Sequence, residues 1–312
     1  MTEATARTRE WLESVALAGR TITATRRLPG GYRNNNLLLE CADGARFVLR
    51  RYPGENRCAV EAALAGLLDG VVPVAPVVAA DPEGTVLLLG YVPGTPVDVL
   101  LTTLSEDDAH AVGVVAGRAL AAIGTIGFDR PGFFTDASLR PETMSGDLAG
   151  FVGDCLRRTD PGWQLTESEM DGLRALAVAW TPLVPQDARL VHADFNPKNL
   201  LAERTEDGWR VTVLDWEFAF SGSPLTDLGN VLRFGETPFT NGVVDAAGPL
   251  PGGWREAARA LDLFSVAEFL TRPPRPPIAR DIRGLVRRLA LESWGCCGYW
   301  AWGYWAWGAC GF

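Results

Sequence analysis

The residues Val191-His192-Ala193-Asp194-Phe195-Asn196-Pro197-Lys198-Asn199-Leu200 set a dense polar loop between apolar flanks, and Leu214-Asp215-Trp216-Glu217 follows after one further strand-like stretch. An Asp lies two residues after a His, an Asn five residues after that Asp, and a second Asp ends the next apolar run. Asn-Pro and Lys-Asn suit neither a central strand nor a helix interior, so this must be a loop held between two strands. It gathers a carboxylate, an amide and a second carboxylate, which are hard oxygen donors of the kind Mg²⁺ prefers. Lys198 is the only lysine in the chain; apart from two histidines, every other basic residue is Arg.

At 312 residues the chain suits two domains or one large bilobal unit, with room for sizeable cores. Hydrophobic content of 47% and charged content of 21% place it among soluble globular proteins. No uninterrupted apolar run follows a basic start, so a secretory signal is not expected. Charge is unevenly spread: residues 1–94 carry ten acidic and ten basic side chains, whereas residues 95–271 carry twenty-six acidic against thirteen basic. Such a field argues against nucleic acid as a partner and would attract a cationic substrate; acidity that serves only solubility is the equal alternative. Cys41, Cys58 and Cys155 sit apart in apolar or mixed surroundings and read as small buried hydrophobes. A His-based metal site is close to excluded, and a reducing, ATP-rich cytoplasm is the expected setting.

Along the chain, an amphipathic helical stretch at 9–18 precedes strand signals at 21–27, 36–41 and 45–52, the last two joined by a turn at Ala42-Asp43-Gly44. Asn56 is placed to cap a helix from Arg57 to Leu68, stopped by Gly70. A Pro-broken run leads to another strand at 85–91, and Pro93-Gly94 marks a boundary. Beyond it helix signals dominate, with capping-box spacing at Ser105/Asp108 and Thr166/Glu169. The organisation expected is residues 1–94 as a nucleotide-binding β-sheet lobe with one helix, residues 95–292 as a helical lobe carrying the polar loop, and residues 293–312 as an uncharged Gly/Trp-rich tail. That tail repeats Gly-Tyr-Trp-Ala-Trp and suits neither a bilayer span nor a regular helix, so no membrane span is expected.

These residues fit phosphoryl transfer, in which the protein's task is mainly positioning and charge stabilisation. Asp194 is the candidate base for a substrate hydroxyl, and Asn199 and Asp215 are the candidate Mg²⁺ ligands. Either Asp194 or Asn199 alone would read as a turn former; the spacing and the strand-ending Asp215 favour catalysis. His192 is expected to brace the loop, and Lys198 to reach the transferring phosphate as a point charge. In the first lobe, Gly30 and Gly31 lie between strands where bare backbone can approach phosphates. In Phe47-Val48-Leu49-Arg50-Arg51, Val48 and Arg50 share a face, which places Val48 under the adenine. Arg50 then faces the phosphates and Glu61 of the following helix, and Arg51 is expected at the surface. Leu89-Gly90-Tyr91-Val92 is the expected hinge whose backbone hydrogen-bonds the adenine edge.

The ordered series Gly30-Gly31-Tyr32-Arg33-Asn34, Val48-Leu49-Arg50, Glu61, Tyr91-Val92-Pro93-Gly94, the His192 loop, Asp215-Trp216-Glu217 and Asp227 resembles the aminoglycoside phosphotransferases and their choline and homoserine kinase relatives. The resemblance spans roughly residues 20–290 and implies an α+β, bilobal protein-kinase-like fold, with a small antiparallel-sheet N-lobe and a larger helical C-lobe. It implies Asp194 as base, Asn199 and Asp215 on magnesium, Arg50 with Glu61 positioning the nucleotide, Asn34 on the nucleotide side, and Asp227 bracing the site. Two departures stand out: Ala193 replaces the family's usual Gly, and Arg50 a lysine that many relatives carry. The absence of a protein-kinase activation segment after Asp215 favours a small-molecule acceptor.

The expectation is a Mg²⁺-dependent phosphotransferase moving the γ-phosphate of ATP or GTP to a hydroxyl of a cationic aminoglycoside-like or amino-alcohol acceptor, with Trp216, Glu217 and the 232–256 segment lining the acceptor pocket. A neutral sugar or natural-product alcohol is the alternative acceptor. A nucleotide-binding scaffold without turnover is the alternative from another class.

Overall fold

A computed structural model describes residues 8–28, 34–143, 146–276 and 278–292. Gly30, Gly31 and the 293–312 tail therefore lie outside the described residues. Five strands, β1 (Ile22–Arg27), β2 (Asn35–Cys41), β3 (Arg46–Arg51), β4 (Val77–Ala80) and β5 (Val86–Gly90), form an antiparallel sheet in the order β1-β2-β3-β5-β4. The β2–β3 turn closes because Gly44 adopts φ +83° and the Asp43 carboxylate accepts the Ala45 N–H at 3.0 Å. Its register places Asn36 opposite Arg50 and Leu38 opposite Val48. One face of the sheet buries Leu39, Leu49 and Leu88 against Trp11, Leu12 and Leu17 from the N-terminal helical turns.

Helix α1 (Cys58–Leu68) starts where Asn56 Oδ1 accepts the Cys58 N–H at 3.0 Å, and ends before Gly70 at φ +73°. Val60, Leu64 and Leu68 are buried in a second, larger core. Fully burying a Leu side chain stabilises by about 2 kcal/mol, which holds this short helix in a way propensity alone would not.

The remaining elements build a mostly helical body. Strand β6 (Thr95–Pro96) pairs with β10 (Leu200–Thr205), which forms a hairpin with β11 (Gly208–Val213). A second small sheet runs β8 (Pro141–Glu142), β7 (Gly132–Phe134), β12 (Phe220–Gly222), β9 (Arg189–Val191). Helix α2 (Glu106–Ile123) is capped by Ser105, whose hydroxyl accepts the Asp108 N–H. Its Gly113 and Gly117 lie so close to the helix Pro238–Ala246 that an added Cβ would sit 2.1 Å from the Phe239 carbonyl oxygen and 2.3 Å from that of Val243.

The chain divides into two compact units, residues 1–146 with 183–262, and residues 147–182 with 263–312. Every candidate site residue belongs to the first. In the second, the helix Glu167–Trp180 opens with a complete capping box between Thr166 and Glu169. There Trp163 Nε1 donates to the Arg272 carbonyl at 2.7 Å, and Gly172 lets the helix Ile278–Glu292 approach at Ala290. Among the described residues, no helix is long and apolar enough to cross a membrane.

Candidate active site

The polar loop follows β9 and turns on an Asn-Pro pair. Asn196 caps a short 3₁₀ turn (Pro197–Asn199), its side-chain oxygen accepting the Lys198 N–H at 3.2 Å, and Pro197 supplies the first helical φ. The turn presents two amides to one carboxylate. Asn196 Nδ2 donates to Asp194 Oδ1 and Asn199 Nδ2 to Asp194 Oδ2, each at 2.7 Å, and both amides also reach the Asp194 carbonyl at 2.9 Å. Lys198 Nζ stands 3.6 Å from Asp194 Oδ2. The carboxylate is thus aimed by two fixed donors while its side chain stays 18% exposed, open enough to meet a substrate hydroxyl. Asn199 spends its N–H₂ on Asp194, which leaves its amide oxygen as the acceptor atom of that side chain.

His192 is fully buried and spends both ring nitrogens on the backbone. Nε2 donates to the Leu214 carbonyl at 2.8 Å and Nδ1 accepts the Asp194 N–H at 3.2 Å, an arrangement that requires a neutral imidazole. The ring therefore joins the Asp194 loop to the strand end before Asp215. Asp227, on the helix Leu225–Leu232, accepts the N–H groups of His192 (2.9 Å) and Ala193 (2.8 Å). These bonds hold Ala193 at φ +67°, in the left-handed region. That conformation costs an L-residue about 1–2 kcal/mol, and glycine avoids it at an entropic cost of about 0.5–1 kcal/mol. Ala193→Gly should therefore raise stability by up to about 1 kcal/mol, read as a higher urea midpoint at unchanged slope; a lower midpoint would refute the strain.

Burial pushes the Asp227 carboxyl up to about 6 despite its backbone donors. A carboxyl raised above its ordinary 3.8 holds its proton more tightly in the folded state, so the stability it contributes is full below 3.8 and is lost as pH rises through about 6. The parent protein should lose more stability between pH 4 and pH 6.5 than Asp227→Asn does. Denaturant midpoints across that range would show it, and parallel curves would exclude Asp227 as the source.

On β3, Arg50 is buried and its Nη2 lies 3.1 Å from Glu61 Oε1 and 2.5 Å from Asp215 Oδ1. Burial acts to lower the Arg50 pKa, but Glu61 and Asp215 together outweigh it and the group is raised. Glu61 is pushed up to about 7 by burial, with Arg50 opposing. The structure thus brings together three residues far apart in sequence. Asp215 itself sits at φ +66°, held from upstream by the Leu214 N–H to the Asn199 carbonyl at 2.9 Å.

The structure places the remaining expected residues in the following surroundings. Trp216 packs its indole into the core, 4.6 Å from the His192 ring, with Nε1 donating to the Val213 carbonyl at 3.3 Å. Glu217 is buried as well, 8% exposed. At the expected hinge, the Gly90 N–H is taken by the Pro76 carbonyl and the Tyr91 N–H by that of Arg46, whose guanidinium lies over the Tyr91 ring at 4.0 Å. Pro93 has no N–H, so Val92 carries the N–H of this stretch that is not taken by Pro76 or Arg46. Arg51 is half-buried rather than at the surface.

Three features escaped the sequence reading. Asn196 is a second orienter of Asp194, signalled only by its place in the loop. Arg233 and Asp262 form a buried ion pair at 2.6 Å, close enough to Asp194 for its charge to raise the Arg233 pKa alongside the larger pull of Asp262, both against the effect of burial. Arg57 sends its guanidinium to the carbonyls of Glu217 and Phe134. Nothing in the local spacing announces either contact.

The model of the phosphotransferase enzyme family (APH) matches residues 24–261. The chain belongs to this family. Membership makes it a small-molecule phosphotransferase. No curated protein matches the sequence significantly. Among solved structures it is similar to one assigned as a fructosamine-3-kinase from Thermobifida fusca YX-ER1, at 22% identity over 90% of this chain and 99% of that one, TM-score 0.62. It is also similar to aminoglycoside 2′-phosphotransferase-IIIa in its GDP complex, at 16% identity over 93% and 99%, TM-score 0.67. A third likeness is macrolide 2′-phosphotransferase MphH from Brachybacterium faecium, at 18% identity over 93% and 99%, TM-score 0.59. The fold is accordingly the α+β, protein-kinase-like one.

Proposed function

We propose that this phosphotransferase moves the γ-phosphate of ATP or GTP to a hydroxyl of a cationic aminoglycoside-like or amino-alcohol acceptor, with Mg²⁺ as the metal. The observation that carries the reading is Asp194, a carboxylate aimed by the Asn196 and Asn199 amides in a loop that bonds through His192 and Asn199 to Leu214, beside Asp215 and its Arg50–Glu61 partners. Asp194 would accept the acceptor's hydroxyl proton while that oxygen bonds to the γ-phosphorus and the bond to the β-phosphate oxygen breaks, releasing the nucleoside diphosphate. Asn196, Asn199 and the His192 brace keep the carboxylate in line, and Lys198 adds a positive charge where negative charge is passed on.

The residues present fit the expected ligands. The Asn199 amide oxygen and the Asp215 carboxylate are hard donors suited to Mg²⁺, which when bound would screen the charge of the phosphates. Arg50 Nε and the Asn34 amide nitrogen are buried without a hydrogen-bond acceptor among the described residues, which an anionic nucleotide would supply. We read residues 1–94 as the nucleotide side, with Val48 and Tyr91 near the base, and residues 95–292 as the acceptor side, whose acidic excess favours an amine-bearing acceptor.

The test is transfer from ATP and from GTP, with Mg²⁺, over a panel of hydroxylated amines and neutral sugars, read by mass spectrometry. A phosphate added to an amine-bearing compound is the expected result. Phosphate on neutral sugars alone would overturn the cationic acceptor, and no transfer beside intact nucleotide binding would overturn the enzymatic reading.

A further inference from the structure

Arg57 stands where local physics disfavours it. It is the N-cap residue of α1, at the positive end of the helix dipole, where a guanidinium has no acceptor to offer, and Asn56 supplies the capping oxygen instead. The guanidinium, only 12% exposed, instead crosses the fold. Its Nε donates to the Glu217 carbonyl at 3.0 Å and its Nη1 to the Phe134 carbonyl on β7 at 2.6 Å. Glu55, the anion beside it, is 3.7 Å away and largely in solvent, so the carbonyls are its main partners. Through its own backbone, Arg57 is also tied to the nucleotide side, since its carbonyl accepts the Glu61 N–H at 2.9 Å.

One residue thus links the turn of helix that carries Glu61 to the carbonyl two residues beyond Asp215. Asp215 needs this support. Its left-handed backbone is sparsely populated for a residue with a Cβ and persists only where the surroundings over-determine it. His192 and Asn199 hold the upstream side at Leu214; Arg57 holds the downstream side at Glu217.

We propose that Arg57 is a positioning residue that latches the Asp215 segment to the Glu61 helix and so keeps both ready for Mg²⁺-nucleotide. The proposal rests on the site reading above. Arg50 also bridges these elements, but through carboxylates for which an incoming cation competes. The Arg57 latch uses neutral carbonyls, and it persists when Asp215 turns to a metal.

The test compares the full chain with Arg57→Ala and Arg57→Lys. Without ligand, backbone amide exchange in residues 215–219 should quicken by about tenfold or more in Arg57→Ala, while exchange in residues 167–180 stays at the parent rate. With a non-hydrolysable ATP analogue, calorimetric affinity at limiting Mg²⁺ should fall by about tenfold, an effect shrinking as Mg²⁺ rises. Arg57→Lys should recover part of both losses, since one ammonium serves one of the two carbonyls. If Arg57→Ala does not fold, Arg57→Gln is judged by the same criteria. Unchanged exchange at 215–219, or exchange raised equally everywhere, overturns the latch. Failure of the parent protein to bind the analogue in a Mg²⁺-dependent way overturns the site reading instead, and the ligand-free exchange still decides Arg57.

Discussion

Replacing Asp194 by Ala lowers turnover by roughly 10²–10⁴-fold and leaves nucleotide affinity near the parent value. The magnitude is that of losing a general base together with the orientation it gives the attacking oxygen. The fold should survive, because the Asn196 and Asn199 amides also donate to the Asp194 backbone carbonyl, and Asp227 holds the loop through the N–H groups of His192 and Ala193. Nucleotide affinity should survive because Arg50, Glu61 and Asp215 are untouched. The measurement is turnover on whichever acceptor the panel identifies, with calorimetric nucleotide binding alongside. Near-full turnover in the variant would remove Asp194 from the chemistry.

The largest stability loss is expected at two glycines far from the chemistry. Gly113→Ala and Gly117→Ala each place a methyl group against a backbone carbonyl of the helix Pro238–Ala246, at 2.1 and 2.3 Å. Backbone cannot swing aside as a flexible side chain would, so the helices must separate or bend. About 2–3 kcal/mol should be lost, even though Ala is the better helix former by about 1 kcal/mol. Gly66→Ala is the control, because Gly66 is an exposed position of α1 where an added Cβ would meet nothing within 4 Å. There the same change should stabilise by about 0.5–1 kcal/mol. Urea midpoints decide the matter: equal effects at all three positions would show that propensity, not packing, governs them.

The glycine contrast marks the limit of local reading. Gly66, Gly113 and Gly117 look alike in sequence, each a weak point in a helical run. Only the partner helix distinguishes them, and that partner is more than a hundred residues away. Strands β1, β2, β3 and β5, by contrast, were legible to within a residue or two, because alternation and the Asp43-Gly44 turn act between neighbours, whereas β4, in the Pro-broken run before β5, was not. The capping oxygens of Asn56, Ser105 and Thr166 were legible for the same reason.

At the site the division runs along the same line. The loop from His192 to Asn199 carries its geometry in its own spacing: Asn196 and Pro197 start the turn, and the turn brings Asn199 back onto Asp194. The burial of Trp216 was not legible, because an aromatic beside a metal-ligand candidate reads equally well as pocket or core. The left-handed backbone at Asp215 settles its direction, and that backbone is held by groups brought from elsewhere in the fold. At the expected hinge, the Gly90 and Tyr91 N–H groups are likewise taken by carbonyls of Pro76 and Arg46, partners that the local sequence does not announce.

What the sequence by itself determined was the set of short-range arrangements, in which interacting groups lie within a few residues and their spacing is their geometry: the turns, the caps, the strand alternation and the carboxylate–amide loop. What only the tertiary structure decided was which distant groups share a buried volume. Arg50 meets Asp215, Arg57 meets Glu217, Arg233 meets Asp262 and Gly113 meets Phe239. The physical reason is that these contacts are made where desolvation forces buried charges, donors and backbones to find partners, and a partner brought by chain folding leaves no periodic trace in the local sequence.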